Sequence, residues 1–421
     1  MEARADSHFL AGKKIIVAGA GISGLAFAAA LDKQWDDRFA RPEVTIYDRE
    51  KSDEAAQREG YSLSLNGFDK DGGLVALRDL GLLDRIVEHA ILGLETQPSM
   101  KIWTSSWEEN IAIKLRAYQG LPSASLRIAR KDLRKILIDA ATEHRAIRWE
   151  TSCVGAERLE GERIRVQLSA GDGSGTWSEE CDLLIAADGA SSKIRAALRS
   201  KDTLQFAGAI QLGGCARFPG GIPAPVDKSW GLVITGEGVC CFFSPVDAER
   251  VVWAVSWRTG EPRDLDKTRP EEQFRSLMAE ALERGAAIRE PFRTIVEATE
   301  PGTELLIPAR DKAPFRHGEG RVPPGVVFIG DSNHAVSPFA GNGANLGLKD
   351  GWDLARELCR GASLAGAVKA YDDRSVPRAV ATIKSSHWRI TMGHATGAAY
   401  WSFWVFMRVG NFMSWLFGRF M

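Results

Sequence analysis

Apolar residues fall along this chain in short runs, each stopped by a glycine or an acid. Ile15, Ile16, Val17 and Ala18 follow Lys13 and Lys14 and break at Gly19-Ala20-Gly21-Ile22-Ser23-Gly24, after which residues 25–35 return to alanine and leucine. An apolar run without polar alternation suits an interior parallel strand, and the composition beyond the glycines predicts a helix. Glu43-Val44-Thr45-Ile46-Tyr47 predicts a second strand, ending at Asp48. The same form returns twice. "CDLLIAADGASSKIRAAL", residues 181–198, reads as a strand ending in Asp188-Gly189 and running into a helix. "GVVFIGDSNHAVSPFAGNGANLGLKDGWDLARELC", residues 325–359, reads as a strand ending in Gly330-Asp331, a loop rich in glycine and proline, and a helix. Between them, residues 205–258 carry short β-type runs such as "SWGLVITGEGVCCFFSP" and "RVVWAVSWR", bounded by Gly, Pro and Asp, which predicts an antiparallel sheet. "AGDGSGTWSEE" reads as a hairpin turn, and no repeat or low-complexity tract interrupts the pattern.

Composition narrows the class. A chain of 421 residues with 44% hydrophobic content fills a large core, as two domains or one interleaved unit. The formal net charge is −1 and no basic block stands out, which argues against nucleic acid as a partner. The first ten residues, MEARADSHFL, lack the apolar core of a secretory signal, so a cytoplasmic protein is expected. Cys153, Cys181, Cys215, Cys240, Cys241 and Cys359 form no C-x-x-C pair and have no histidines at zinc spacing. They read as buried free thiols, with no metal site and no redox pair of the kind a disulfide reductase needs.

The first glycine cluster has a physical reading. Gly19 permits the tight turn, Gly21 lets the backbone approach a pyrophosphate, and Gly24 lets the helix close on the strand, while amides at the helix start, with Ser23 among them, supply an anion site. Asp48 stands where a carboxylate accepts hydrogen bonds from a ribose diol, with Arg49 beside it. An acid there favours an unphosphorylated adenosine ribose, so FAD or NAD fits better than NADP.

With the Asp-Gly and Gly-Asp segments in the same order, the chain resembles the single-component FAD monooxygenases, the flavin-dependent aromatic hydroxylases that include para-hydroxybenzoate hydroxylase and the tetracycline destructases. The resemblance extends from Lys13 to the stretch around Val380, and "PFAGNGANLGLKDGWDLA" looks most like the tetracycline-destructase branch. It implies an α/β fold of two-domain α+β type. A Rossmann-like FAD-binding domain built from residues 1–75, 120–200 and 305–380 is interleaved with an antiparallel-sheet substrate domain, 76–119 and 201–304, and a C-terminal helical tail, 381–421. Carried over by position, Asp331 bonds a ribityl hydroxyl, while Pro338, Gly341, Gly343, Ala344 and Asn345 line the isoalloxazine, with backbone amides near its pyrimidine edge. Asp188 and Gly189 match the segment associated with FAD and pyridine-nucleotide contacts. Arg130, in "LRIARKDLRKILIDAA", is implicated at the flavin side of the cofactor. Arg195 is open between a phosphate contact and a solvated helix charge. Arg58 is a candidate for the nicotinamide nucleotide. Ser64 departs from the family's destructase branch, which places an acid there.

The chemistry implied is a cycle in which NAD(P)H reduces FAD, O2 adds as a C4a-hydroperoxide, and one oxygen atom hydroxylates or epoxidises a small hydrophobic substrate, an aromatic or polycyclic secondary metabolite. The alternative class is a flavoprotein NAD(P)H oxidase or isoprenoid reductase that oxygenates nothing. No catalytic acid or base is singled out: His334 reads as ordering its turn, and His387 and His394 as solvated tail residues. Phe242, Phe243, Trp253 and Trp257 divide by alternation between core and pocket. The aromatic tail, residues 395–421, falls short of the roughly 18–20 apolar residues a span needs, so packing on the protein, a homodimer contact or a membrane-surface helix remain open. No stable protein partner is expected.

Overall fold

The computed structural model describes residues 8–51, 61–92, 100–113, 115–265, 268–319 and 322–418, with side chains described as far as Gly410. Its organising element is a five-stranded parallel sheet in the order Val326–Phe328, Leu183–Ala186, Lys14–Ala18, Glu43–Tyr47 and Ile147–Arg148. The apolar runs are continuous because both faces are covered. Ile15 and Val17 pack toward the helices Ile22–Gln34 and Gly343–Arg360, alongside Leu25, Phe27, Leu348 and Leu354. Ile16 and Ala18 pack the other way, onto Val166 and Leu168 of an antiparallel meander formed by Thr151–Arg158, Ile164–Ala170 and Thr176–Cys181. The glycine-rich hairpin closes between the last two of those strands.

A seven-stranded sheet forms the second layer, in the order Leu305–Asp311, Gln205–Arg217, Arg250–Arg258, Val239–Pro245, Trp230–Ile234, Met100–Trp103 and Glu109–Ile113. All its pairs are antiparallel except Trp230–Ile234 with Met100–Trp103. Alternation sorts its aromatics. Phe243, Trp253 and Trp257 turn to the helices Pro270–Arg284 and Phe292–Glu297 and join Leu277, Phe292 and Ile295 in a closed core. Phe242 alone of the four candidates faces away from that core, meeting Cys215 and Val252 and standing edge-on to Trp230 at 6.5 Å.

A small antiparallel sheet, Ser62–Asn66, Ser125–Ala129 and Ala90–Leu92, lies between the two layers. The segment 76–119 therefore divides. The helices Gly73–Leu80 and Leu83–Glu88 place Leu74, Leu77 and Ile86 in the core under the parallel sheet, and only Met100–Trp103 and Glu109–Ile113 join the seven-stranded sheet. Leu305–Asp311 likewise pairs with Gln205–Arg217 rather than with the parallel strands.

Helix Leu364–Gly393 continues past residue 380, and helix Gly397–Gly418 follows it. On this second helix Phe403 and Trp404 are buried with Ile102, Ile111, Ile234 and Cys240 of the seven-stranded sheet, while Tyr400 and Met407 pack at the margin. Trp401 and Phe406, each 68% exposed, share the opposite side with Val405 and Val409. Among the described residues no helix is long and apolar enough to cross a membrane. His394 is buried, meeting Ser256 Oγ at 2.9 Å and the Ile390 carbonyl at 2.7 Å, so it anchors the tail to the sheet instead of facing solvent. His387 is half exposed and pairs with Asp311 at 2.6 Å. All six cysteines are free, and five are buried.

Candidate functional site

The turn after the first strand is shaped by contact. Gly19 has φ +108°, and a Cβ there would lie 2.4 Å from the Ala187 carbonyl oxygen; its amide donates to the Tyr47 carbonyl at 2.8 Å. A Cβ on Gly24 would lie 2.1 Å from the Gly19 oxygen, so only glycine lets the helix start this close to the strand. Gly21 differs. A Cβ there would meet nothing within 4 Å, and no side chain caps the helix it precedes. Uncapped amides beside open space are what an anionic pyrophosphate takes.

Asp48 braces this turn, its Oδ2 accepting from the Ala20 amide at 2.6 Å and its Oδ1 from the Glu50 amide at 2.9 Å. Each carboxylate oxygen keeps a second lone pair for a hydroxyl. Arg49 is exposed beside it. Arg134, which sequence reasoning passed over, is buried and donates to the Ala20 carbonyl at 3.2 Å and to Glu50 Oε2 at 2.7 Å. Its signal was available, one helical turn beyond Arg130 on helix Arg130–Ala141.

The Gly-Asp turn meets this one directly. A Cβ on Gly330, φ +60°, would lie 2.8 Å from Ser23 Oγ, so Ser23 serves as the contact between the two turns. The Gly330 amide donates to Asp350 Oδ2 at 2.9 Å, and the same oxygen bonds His334 Nε2 at 2.5 Å. Asp350 Oδ1 accepts from Ser375 Oγ and from Arg378 Nη2, both at 2.9 Å, and Arg378 Nη1 reaches Asp353 at 2.9 Å. His334 and Asp350 are both wholly buried. Burial opposes charge on both, but the contact wins: His334 is held above its ordinary pKa by Asp350, and Asp350 below its own by His334 and Arg378. The pair is ionic, and it orders the turn.

Asp331 opens the short helix Asp331–His334; burial raises its pKa, while His334, Arg130 and Arg195 favour its charged form. This places Arg130 and Asp331 within electrostatic reach of each other. Arg195 is buried and donates to the Ser332 carbonyl at 2.9 Å, to the Asp331 carbonyl at 3.4 Å and to the Ala190 carbonyl, which corrects both sequence readings. It is a strut joining the Asp-Gly and Gly-Asp segments. In the first of these, Asp188 Oδ2 accepts from the Ile194 amide at 3.3 Å, Oδ1 is buried without a partner, and burial raises the carboxyl. Gly189, φ +80°, has nothing within 4 Å of its Cβ position. An orphaned carboxylate oxygen next to an open glycine accepts a hydroxyl well.

Further along, Pro338 and Gly341 are exposed, and Gly343 and Ala344 open helix Gly343–Arg360 with no capping side chain and no acid in the first turn. A Cβ on Gly341 would come no nearer than 3.6 Å to Arg389, and one on Gly343 no nearer than 3.6 Å to Val336. The first-turn amides, uncapped by any side chain, present positive potential at this helix start. Asn345 is committed elsewhere. Its Oδ1 accepts from the Asn66 amide at 2.7 Å and the Gly73 amide at 3.1 Å, and its Nδ2 donates to the Ser64 carbonyl at 2.9 Å, so its side chain positions the strand Ser62–Asn66 and only its backbone faces the loop.

The neighbouring strand, Ser125–Ala129, carries a second residue that sequence reasoning passed over. Arg127 is 3% exposed and donates from Nη1 to Ser64 Oγ at 2.7 Å and from Nη2 to the Ser62 carbonyl at 2.8 Å and Ser62 Oγ at 2.6 Å. It lies over Trp230 at 5.1 Å and Phe242 at 5.5 Å. Arg58 is outside the described residues. Among the described residues no cluster of His, Cys, Asp and Glu could hold a metal ion.

Comparison with known proteins agrees with this geometry. A family described as an FAD binding domain matches residues 13–386. The chain is 44% identical over 392 residues to monooxygenase cfoF of Aspergillus candidus, covering 92% of this chain and 93% of that protein. It is 26% identical over 358 residues to the chloroplastic zeaxanthin epoxidase of Spinacia oleracea, spanning 82% of this chain and about half, 47%, of the epoxidase. Among solved structures, Klebsiella pneumoniae HpxO complexed with FAD and uric acid superposes with a TM-score of 0.74 at 22% identity, covering 95% of this chain and 94% of that one.

Proposed function

The chain belongs to the FAD-binding-domain family and is an FAD-dependent monooxygenase; from that premise we propose how its residues divide the work. Gly19, Gly21, Ser23, Gly24, Asp48 and Arg49 take the AMP and pyrophosphate end of FAD. Arg130, Asp188, Gly189 and Asp331 take the ribityl chain, and Pro338, Gly341, Gly343, Ala344 and Asn345 take the ring, Asn345 through its backbone. The observation that supports this division is the contact between Ser23 and Gly330, which brings the first glycine turn against the Gly-Asp turn, together with the uncapped starts of the helices Ile22–Gln34 and Gly343–Arg360.

FAD held by these residues would supply the difficult chemistry, electron transfer from NAD(P)H and activation of O2. The amides of Gly343 and Ala344 stabilise negative charge where they point. The His334–Asp350–Arg378 network holds that loop still, and Asn345 fixes the strand Ser62–Asn66 against it. Phe242 and Trp230 present an apolar surface from the seven-stranded sheet, which suits a hydrophobic aromatic or polycyclic substrate such as a secondary metabolite. No catalytic acid or base is assigned within this set.

The protein works in the cytoplasm, and we assign the outward face of the tail, Trp401, Val405, Phe406 and Val409, to a membrane surface or to a second copy of the chain. The decisive experiment is to confirm FAD by its visible spectrum and follow NADPH oxidation across aromatic and polycyclic compounds under labelled O2. Acceleration by a compound that gains one labelled oxygen supports the assignment. Hydrogen peroxide as the only product across the panel favours the oxidase reading and removes the substrate proposal.

A further inference from the structure

The tail helix Gly397–Gly418 is apolar on two sides, and only one of them has a partner in the fold. Tyr400, Phe403, Trp404 and Met407 turn inward onto the seven-stranded sheet. Trp401, Val405 and Val409 recur every fourth residue on the opposite side, with Phe406 beside them, and more than half of each is exposed. A stripe of large apolar side chains facing outward marks an interaction surface.

Charge decides which kind. The chain holds 54 Lys and Arg against 55 Asp and Glu, yet no acid follows Asp373, whereas Arg374, Arg378, Lys384, Arg389, Arg408 and Arg419 do. Arg374 pairs with Glu357, and Arg378 with Asp71, Asp350 and Asp353. Lys384, Arg389 and Arg408 are exposed, and among the described residues none of the three has a carboxylate within ion-pair distance. Arg389 donates to the Ala340 carbonyl at 2.7 Å and Arg408 to Asn110 Oδ1 at 2.7 Å, both neutral acceptors. Arg408 follows Val405 by three residues and so stands at the edge of the stripe. On helix Leu364–Gly393, Lys384 lies one turn from Val380 and one from Trp388, both exposed, and Trp388 meets the Phe403 ring at 6.0 Å, joining the two helices there. Exposed Trp and Phe bordered by cations, on a helix without acids, fit an anionic lipid surface, with the rings at headgroup level and the cations toward the phosphates. A second copy fits less well, since a two-fold contact sets this acid-free face against itself.

Position agrees with charge. Trp230, Leu232 and Ile234 alternate onto one side of their strand, where Leu232 and Ile234 pack with the tail helix and Trp230 stands with Phe242. The tail thus covers the same side of the sheet as the surface offered to a hydrophobic substrate, a class of molecule that concentrates in bilayers. We propose that Trp401, Val405, Phe406 and Val409, with Arg408 at their edge, dock on the surface of an anionic phospholipid bilayer, the helix lying in the interface. The proposal deepens the assignment of this face and, in choosing a bilayer, rests partly on the hydrophobic substrate; its test needs no substrate.

The FAD-loaded full chain is mixed with vesicles of phosphatidylcholine alone, or of equal parts phosphatidylcholine and phosphatidylserine, and the bound fraction is measured by flotation. The native protein is expected to bind the mixed vesicles about tenfold more tightly than the neutral ones, and less tightly as added salt screens the charge. Trp401→Ser combined with Phe406→Ser should weaken binding to the mixed vesicles by about tenfold or more, with the unfolding midpoint and the visible flavin spectrum unchanged, because both side chains face outward. Arg408→Gln should narrow the preference for the anionic vesicle; an unchanged preference removes that residue from the surface. No binding of the native protein to the mixed vesicles, or equal binding to both kinds, overturns the proposal without reference to any variant, and so does full binding by the double variant. A native dimer that the double variant dissociates, without vesicle binding, gives the face to a second copy instead. NADPH oxidation across the compound panel reports on the substrate reading separately, and its failure leaves vesicle binding untouched.

Discussion

At Gly19–Gly24 the backbone is held by contact, whereas at Gly330–Asn345 it is held by buried charge. In the first turn a Cβ on Gly24 collides at 2.1 Å with a carbonyl oxygen, and one on Gly19 at 2.4 Å with another, so close contact dominates there and the Asp48 carboxylate adds a brace at the Ala20 amide. In the second, His334, Ser375 and Arg378 all bond Asp350, and the His334–Asp350 pair at the centre is wholly buried. The two ends of the proposed cofactor surface thus depend on different physics. Shape is indifferent to pH, and buried ion pairs are not.

The largest expected effect comes from breaking the charged turn. Asp350→Asn leaves His334 and Arg378 buried without their shared partner, which costs about 3–5 kcal/mol in urea unfolding. The pH dependence follows from the signs of the two shifts. Asp350 lies below its ordinary value of 3.8, so its contribution is present above that value and is lost as pH falls. His334 lies above its ordinary value of 6.5, so its contribution is full below 6.5 and is lost as pH rises through the raised value. Native stability should therefore carry a component that is greatest between those two pH values, and Asp350→Asn should flatten it. An unchanged stability profile in the variant means the turn is held by shape, like the other one.

Next in size is the contact turn itself, where two neighbouring glycines separate packing from binding. Gly24→Ala forces the helix off the strand, at a cost of about 3 kcal/mol that is independent of pH. Gly21→Ala adds a methyl to open space and leaves unfolding unchanged, yet it obstructs close approach of a pyrophosphate, so FAD affinity by fluorescence titration should drop about tenfold. If Gly21→Ala destabilises the protein as much as Gly24→Ala does, both glycines serve packing and the division fails.

The same difference explains what the sequence revealed. The contact turn was legible because its constraint is local: strand, glycines, helix and acid sit within 35 residues, Lys14 to Asp48, and each glycine has a reason visible in its spacing. The charged turn was legible only as a resemblance, since Asp350 and Arg378 are remote from Gly330 in sequence and meet it through the packing of two helices. Arg195 and Arg127 show the limit most clearly. An arginine beside a helix start reads as a solvated charge until the fold buries it, and nothing in "LRIAR" shows that Trp230 and Phe242 will close over its first arginine. The segment 76–119 divides for a related reason: helix-forming and strand-forming runs adjoin there, and only the layers assign each to a core.

The smallest effect tests whether the ring loop is as open as the charged network around it is closed. Gly341 has φ +58°, a left-handed conformation that costs an alanine about 1 kcal/mol, and the nearest atom to its Cβ position is Arg389 Nη1 at 3.6 Å, an ordinary contact. Gly341→Ala should therefore lower stability by about 1 kcal/mol through backbone conformation, and FAD binding should weaken somewhat beyond that, since Gly341 is proposed to line the ring. A much larger loss of FAD binding at unchanged stability would place the ring in van der Waals contact with Gly341, making this glycine the counterpart of Gly21. A much larger loss of stability would mean that the loop is held by shape after all, and the contrast between the two turns would disappear.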